Sequence, residues 1–203
     1  MTLYKEGSYD KAIQAYDKVI EVDPLYSPAW CFRGYALTEL GKYDEAVKSY
    51  DKATAINPDY SYAWDGKGLA LYKMGSFEEA ITCFNKAIDA TSSDIIIPDL
   101  SAWTNKCASF LALGKENEYI DCSSATVREC DKAIKMNQDD ANNWFDKGLA
   151  LSRLQKYDEA VLAYDKAIKI DPNIADGWIY KAIALYAQGK FDEVLQVLLL
   201  LIF

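Results

Sequence analysis

Trp30 and Trp64 stand thirty-four residues apart, and so do Trp144 and Trp178. The residues that follow each keep one register. Gly34, Ala36, Gly41, Tyr43, Ala46, Tyr50, Ala53 and Pro58 follow the first tryptophan; Gly68, Ala70, Gly75, Phe77, Ala80, Phe84 and Ala87 follow the second at equal offsets. After Trp144 come Gly148, Ala150, Tyr157, Ala160, Tyr164, Ala167 and Pro172. A fixed period constrains a fold more tightly than any local motif: each copy takes the same local structure and buries its apolar face on its neighbours.

The fullest copy runs from Ser27 to Tyr60 and reads as two helices, over 28–40 and 43–56. Ser27 is placed to cap the first, and Pro28 suits its first turn, where a missing N–H costs nothing. Trp30, Arg33, Gly34 and Leu37 recur at three and four residues, on one helix face. Gly41 supplies the turn, with φ > 0 expected there. Asn57-Pro58-Asp59 stops the second helix, because proline can neither continue it nor tolerate a helical residue before it. Gly34 and Ala46 are small where the helices approach, while Trp30, Tyr43 and Tyr50 fill the space around them.

The runs Trp30-x3-Gly34-x2-Leu37, Gly41-x-Tyr43-x2-Ala46 and Tyr50-x2-Ala53-x4-Pro58 resemble the tetratricopeptide repeat, and the resemblance recurs along nearly the whole chain. It implies an all-α fold, a right-handed superhelical solenoid of antiparallel helix pairs, with each first helix (A) lining a concave groove and each second helix (B) on the convex side. Members of that family are typically scaffolds that hold peptides or proteins in the groove. The expected organisation is a single array over 1–203: a partial repeat at 1–26, repeats at 27–60, 61–99 (with an extended connection), 100–140 (with a seven-residue insertion) and 141–174, and a truncated terminal repeat at 175–203.

Three places depart from the period. In the first copy, Leu3 to Gly7 matches only the tail of helix A. Ile95-Ile96-Ile97, in the connection after Ala90, suits a plug between helices better than a lone strand, with Asp99 or Ser101 capping the next helix. In the fourth copy Cys107 replaces the small glycine, and Ala133-Ile134 arrive seven residues late. Seven residues is close to two turns, so the insertion either lengthens helix B without rotating its buried face, or forms a loop around Glu116–Ser124. The last helix reads VLQVLLLLIF from Val194 to Phe203, apolar on all sides where Tyr157 to Tyr164 left a polar face. Ten residues fall short of the roughly twenty that cross a bilayer. Val194, Val197, Leu199, Leu200 and Phe203 are therefore candidates for self-association.

Composition removes whole classes of chemistry. Histidine is absent, so the commonest general base and metal ligand is missing, and Ser-His-Asp and Cys-His arrangements cannot be built. No Gly-rich loop leads to a basic Ser or Thr, as phosphate binding requires. The acidic pairs Asp44-Glu45, Glu78-Glu79 and Asp158-Glu159 each open a helix B, where they complement the helix dipole. No enzyme activity, cofactor or metal is expected. A net charge of −9 argues against nucleic acid. The five cysteines form no CxxC pair and read as reduced, mostly buried thiols with Cys122 the most reactive; together with the first six residues, which lack a basic-then-apolar order, they point to the cytoplasm.

Arg33, Lys67, Lys106, Lys147 and Lys181 place one cation in each helix A, and Asp17, Asp51, Asp131 and Asp165 one acid in the B helices, with Asn85 the exception. These cations read either as stems over apolar surface whose charges meet those acids, or as a basic ladder for acidic ligands. By the family's geometry the groove is lined by Phe32, Tyr35 and Glu39; Tyr62, Asp65, Leu69, Tyr72 and Lys73; Thr104, Asn105 and Leu111; Asn142, Phe145, Asp146, Leu149 and Arg153; and Asp176, Ile179, Tyr180, Ile183 and Tyr186. Aromatics among more acids than bases suit a protein or peptide ligand that is neutral to basic. The clamp by which chaperone-binding relatives hold an acidic C-terminus is not matched: Cys31, Tyr35, Gly66 and Ser101 occupy its places, and only Asn105 is of the right type. The expected function is a non-enzymatic interaction scaffold. The alternatives are a self-assembling scaffold, forming a homo-oligomer through its terminal helices, and a docking or regulatory arm of a larger enzyme or membrane protein.

Overall fold

Each apolar-periodic run ends at a residue that cannot extend it, so helix and short turn alternate. The computed structural model describes residues 9–91 and 100–202, with side chains for all of these except Thr91, Leu200, Leu201 and Ile202. Among the described residues there are eleven helices and no strand: α1 (Tyr9–Val22), α2 (Ser27–Glu39), α3 (Tyr43–Ile56), α4 (Ser61–Lys73), α5 (Phe77–Thr91), α6 (Leu100–Ala112), α7 (Glu116–Met136), α8 (Ala141–Arg153), α9 (Tyr157–Ile170), α10 (Ala175–Ala187) and α11 (Phe191–Ile202). The expectations for Leu3 to Gly7, Ile95 to Ile97, Asp99 and Phe203 lie outside the described residues.

Two kinds of turn repeat. Within a pair, a left-handed residue closes helix A: at Gly41, φ is 73° and Lys42 N–H donates to the Leu37 carbonyl at 2.9 Å. Gln155 holds the same place at φ 59° with the same bond, Lys156 N–H to the Leu151 carbonyl at 3.0 Å. A side chain in that region meets its own backbone, at a cost of roughly 1–2 kcal/mol. Between pairs, Asn57 accepts from Asp59 N–H at 3.1 Å and the Trp64 indole N–H donates to the Pro58 carbonyl at 2.8 Å. Trp30, Trp144 and Trp178 bond the carbonyls of Pro24, Gln138 and Pro172 in the same way, at 2.9, 3.0 and 3.1 Å. Each of these four tryptophans thus fills space and also latches its helix to the preceding turn.

Ser27 does not cap α2. It is the first helical residue and is buried; the cap position is Tyr26, whose side chain makes no cap bond. Nor does Ser101 cap α6, since it lies inside that helix. A side-chain cap does form at Asp140, which accepts from Asn142 N–H at 2.9 Å.

The chain separates into two compact units, residues 1–114 and 115–203. In the first, α1 to α6 pack consecutively, and the A helices α2, α4 and α6 also touch in order. The Tyr50 ring is fully buried in its core, with Cys31, Leu37, Ala46, Ala53, Ala63 and Ala70 around it. A methyl placed on Gly34 would come within 2.7 Å of that ring, and one on Gly66 within 2.6 Å. Phe84 stands against Gly68 in the same relation, at 2.5 Å.

In the second unit α7 to α11 pack consecutively and α8 touches α10. Gly148 repeats the close approach, its added methyl falling 2.5 Å from the buried Tyr164 ring. The insertion is helix: α7 has 21 residues against 14 in α9. Its buried residues Cys122, Thr126, Cys130, Ala133 and Ile134 follow helical spacing, so two added turns preserve the inward face.

The two special positions respond oppositely to substitution. Gly148→Ala forces a methyl into the Tyr164 ring and should lose about 1–3 kcal/mol, despite alanine's better helix propensity. Gln155→Gly relieves a strained backbone and should gain about 1 kcal/mol. Thermal unfolding of the two variants checks this; equal or reversed shifts would contradict the packing described.

Candidate functional site

The A-helix positions that resemble a ligand groove differ in what their side chains touch. In the first unit Phe32 is exposed and stacks on Tyr16 at 5.9 Å. Tyr35 stands edge-on to Tyr50 at 5.6 Å, and its hydroxyl donates to the Tyr62 carbonyl at 3.2 Å. Glu39, Tyr62 and Lys73 are exposed; Leu69, Tyr72 and Asn105 are half-buried, Tyr72 edge-on to Phe77. Asp65 is only 8% exposed, and its carboxylate accepts from Ser101 Oγ at 2.9 Å and Asn105 Nδ2 at 3.5 Å. This residue joins α4 to α6; it does not present a free acid at the surface.

In the second unit Phe145 packs between Tyr164 and Tyr180, at 5.9 and 5.7 Å. Asn142 and Asp176 are exposed, while Asp146, Leu149 and Arg153 are half-buried. Along α10, Ile179, Tyr180, Ile183 and Tyr186 form one open apolar stripe, reaching 55% exposure at Ile183 and 65% at Tyr186. On α11, Leu199 is exposed, but Val197 is buried with Ala182 and Leu185 in the chain's own core, and Val194 packs against them. The Leu200 side chain lies outside the described residues.

The cations of the A helices meet the acids of the preceding B helices. Arg33–Asp17, Lys67–Asp51, Lys147–Asp131 and Lys181–Asp165 close at 2.7, 2.5, 2.6 and 2.6 Å. Partly exposed pairs of this kind are worth about 0–1 kcal/mol each. Their charges are engaged within the fold, which favours the structural reading over a basic ladder. Lys106, opposite Asn85 in the repeat, has no ion pair among the described residues; burial lowers its pKa, and its ammonium lies 5.2 Å over Trp103.

Cys31, Cys83 and Cys130 are free and buried. Burial pushes the Cys31 thiol up to about 12 against the hydrogen bond it shares with Tyr60, and the Tyr164 hydroxyl up to about 12 as well. Cys107 and Cys122 are each disulfide-bonded, which corrects the expectation of five reduced thiols and of a reactive Cys122. Nothing in their spacing signals this. Among the described residues no three metal-ligand side chains converge, and no helix is long and apolar enough to cross a membrane.

Helix pairs locked by a tryptophan latch, an aromatic-on-glycine contact and a B-to-A ion pair define a helical-repeat protein. The chain belongs to the tetratricopeptide repeat family. Models described as tetratricopeptide repeat match residues 1–24, 15–48, 61–94, 141–174 and 163–196, and one described as TPR repeat matches 34–75. No curated protein matches the sequence. Among solved structures, the APC/C hetero-tetramer Cut9-Hcn1 is similar at 15% identity with a TM-score of 0.72; the match covers 97% of this chain and 36% of that one, so this chain spans about a third of its length. TTC0263, a thermophilic TPR protein of Thermus thermophilus, aligns at 18% identity and TM-score 0.69 over 91% of this chain and 94% of that one. YrrB, described as a TPR protein with an unusual peptide-binding site, aligns at 19% and 0.56 over 93% and 91%.

The raised thiol sets a pH dependence. An unfolded thiol loses its proton near its ordinary value of 9.0, whereas folded Cys31 keeps it to about 12. The unfolded chain therefore binds fewer protons above pH 9, and stability falls as pH rises from there toward 12, being whole below 9. The urea midpoint should be flat from about pH 7 to 9 and then decline; a midpoint that rises above pH 9 would contradict this.

Proposed function

We propose that the chain is a non-enzymatic interaction module that receives a peptide or helix of a partner protein along its A-helix faces, with preference for neutral to basic ligands. The observation that carries this reading is the open stripe Ile179, Tyr180, Ile183 and Tyr186 on α10. Solvent-facing aromatics at helical spacing are the usual anchors of peptide recognition. Asp176 is exposed on the same helix, and Asp146 stands half-buried on α8, so the acids at these positions outnumber the one base, Arg153. The peptide-binding site of YrrB, a protein of similar fold, supports the reading without naming a ligand for this chain.

The test is a titration of the chain with a fluorescent peptide of alternating leucine and lysine at physiological salt. Reversing both acids, Asp146→Lys with Asp176→Lys, should weaken binding by about tenfold or more, with thermal stability retained. Unchanged affinity in the reversed variant would overturn the charge preference. Loss of the apolar anchors, Tyr180→Ala with Ile183→Ala, should abolish it.

A second reading, self-association, is favoured by α11. Leu198 stands thirty-four residues after Tyr164, whose ring is fully buried, yet Leu198 is 43% exposed, with Leu195 and Leu199 open beside it. A second copy would cover that face. Light scattering should give a dimer for the intact chain and a monomer for Leu195→Glu with Leu199→Glu; a monomer in both excludes it.

A further inference from the structure

A cleft on the second unit lies apart from the A-helix stripe and belongs to neither reading above. Two overlapping hollows of about 440 and 510 Å³ share Trp144, Lys166 and Lys169. Leu151, Leu162 and Ala163 extend the floor of the first, and Gln138, Asp139 and Ile170 bound the second. The indole edge is fixed by its bond to the Gln138 carbonyl at 3.0 Å, so the ring is a rigid wall, and Leu162 beside it is 67% exposed.

The charges of this cleft are unevenly matched. Lys147 is held by Asp131 at 2.6 Å, and Asp165 by Lys181 at 2.6 Å. Glu159 lies 3.8 Å from Lys156. Lys166 and Lys169 make no ion pair among the described residues; Asp139 lines the second hollow with them, and Glu159 and Asp165 line the first.

The corresponding hollow in the first unit, of about 380 Å³, has a different set of charges. There Lys86 sits 4.1 Å over the Trp64 ring, with Asp89 lining the same hollow. Lys166 takes the place of Lys86, and Lys169 takes the place of Asp89. Changing that acid to a second base leaves two like charges side by side, and among the described residues Lys147 alone stands over Trp144, at 5.6 Å.

We propose that this cleft docks an acidic peptide segment of a partner protein, an apolar side chain resting on Trp144 and Leu162 and its carboxylates meeting Lys166 and Lys169. The lining of α9 from Glu159 to Lys169 spans about 15 Å of helix, the reach of four or five extended residues. An open trough of that length suits a chain segment better than a compact metabolite.

The test uses the intact chain labelled with 5-fluorotryptophan, its Trp144 resonance assigned with Trp144→Phe. The probe is the peptide Ac-Asp-Glu-Phe-Asp-Glu-amide, with Ac-Asn-Gln-Phe-Asn-Gln-amide as the uncharged control. The acidic peptide should shift the Trp144 resonance and leave that of Trp64 in place. Lys169→Asp, which installs the residue type of the first unit's hollow, should weaken binding by about tenfold, and adding Lys166→Glu to it should remove binding altogether. Tyr180→Ala with Ile183→Ala should leave it unchanged, which separates this site from the α10 stripe. The proposal is overturned if the control shifts Trp144 equally, if Trp64 responds as strongly, or if Lys169→Asp binds as well as the parent.

Discussion

Tyr50 lies where two glycines leave no room for anything but its ring. Gly34 on α2 and Gly66 on α4 both approach it so closely that a single methyl on either would overlap the aromatic carbons. The contact fixes how near α2 and α4 come to α3, and with it the depth at which their outward residues sit. Dispersion and burial gain most where packing is this tight, and the same tightness leaves no tolerance for added volume. Phe84 on Gly68 and Tyr164 on Gly148 repeat the arrangement.

Most of the helical framework was legible because its causes are local. Proline after the B helices and glycine at the turns each act within a few residues of themselves, and the small residues at the crossing recur at a fixed offset. Even the insertion in α7 could be narrowed to two readings by counting turns, and the structure takes the helical one. The cation ladder was legible as a choice between two roles, decided by the distances to Asp17, Asp51, Asp131 and Asp165. Much of what stayed hidden depends on contacts between distant segments. The indole latch of the tryptophans is local but depends on the direction of a carbonyl six residues earlier, which residue types do not give. The burial of Asp65 depends on Ser101 and Asn105, thirty-six and forty residues on. Its sequence position promised a surface acid; its surroundings make it a strut. The disulfide bonding of Cys107 and Cys122 carried no signal in the sequence either.

The two units use one template for different surfaces. In the first, aromatic groove positions are partly consumed by internal contacts, Phe32 on Tyr16 and Tyr35 on Tyr50. In the second, the stripe on α10 stays open, and the tryptophan hollow loses the lysine that covers its counterpart. A repeat protein can vary such places freely, since each exposed position answers to its own surroundings while the buried glycine–ring contact holds the pair together.

The clamp between Asp65 and the residues Ser101 and Asn105 carries one further consequence. The junctions between α1 and α2 and between α3 and α4 lean on partly exposed charges, which dissolved ions weaken over a screening length of about 8 Å. At α6 no such ion pair forms among the described residues, Asn85 standing where the others have aspartate, while a buried carboxylate on α4 grips a hydroxyl and an amide of α6. Dissolved ions screen such a contact far less. Within the first unit, then, brine acts on the charged contacts of the early junctions more than on the clamp at α6.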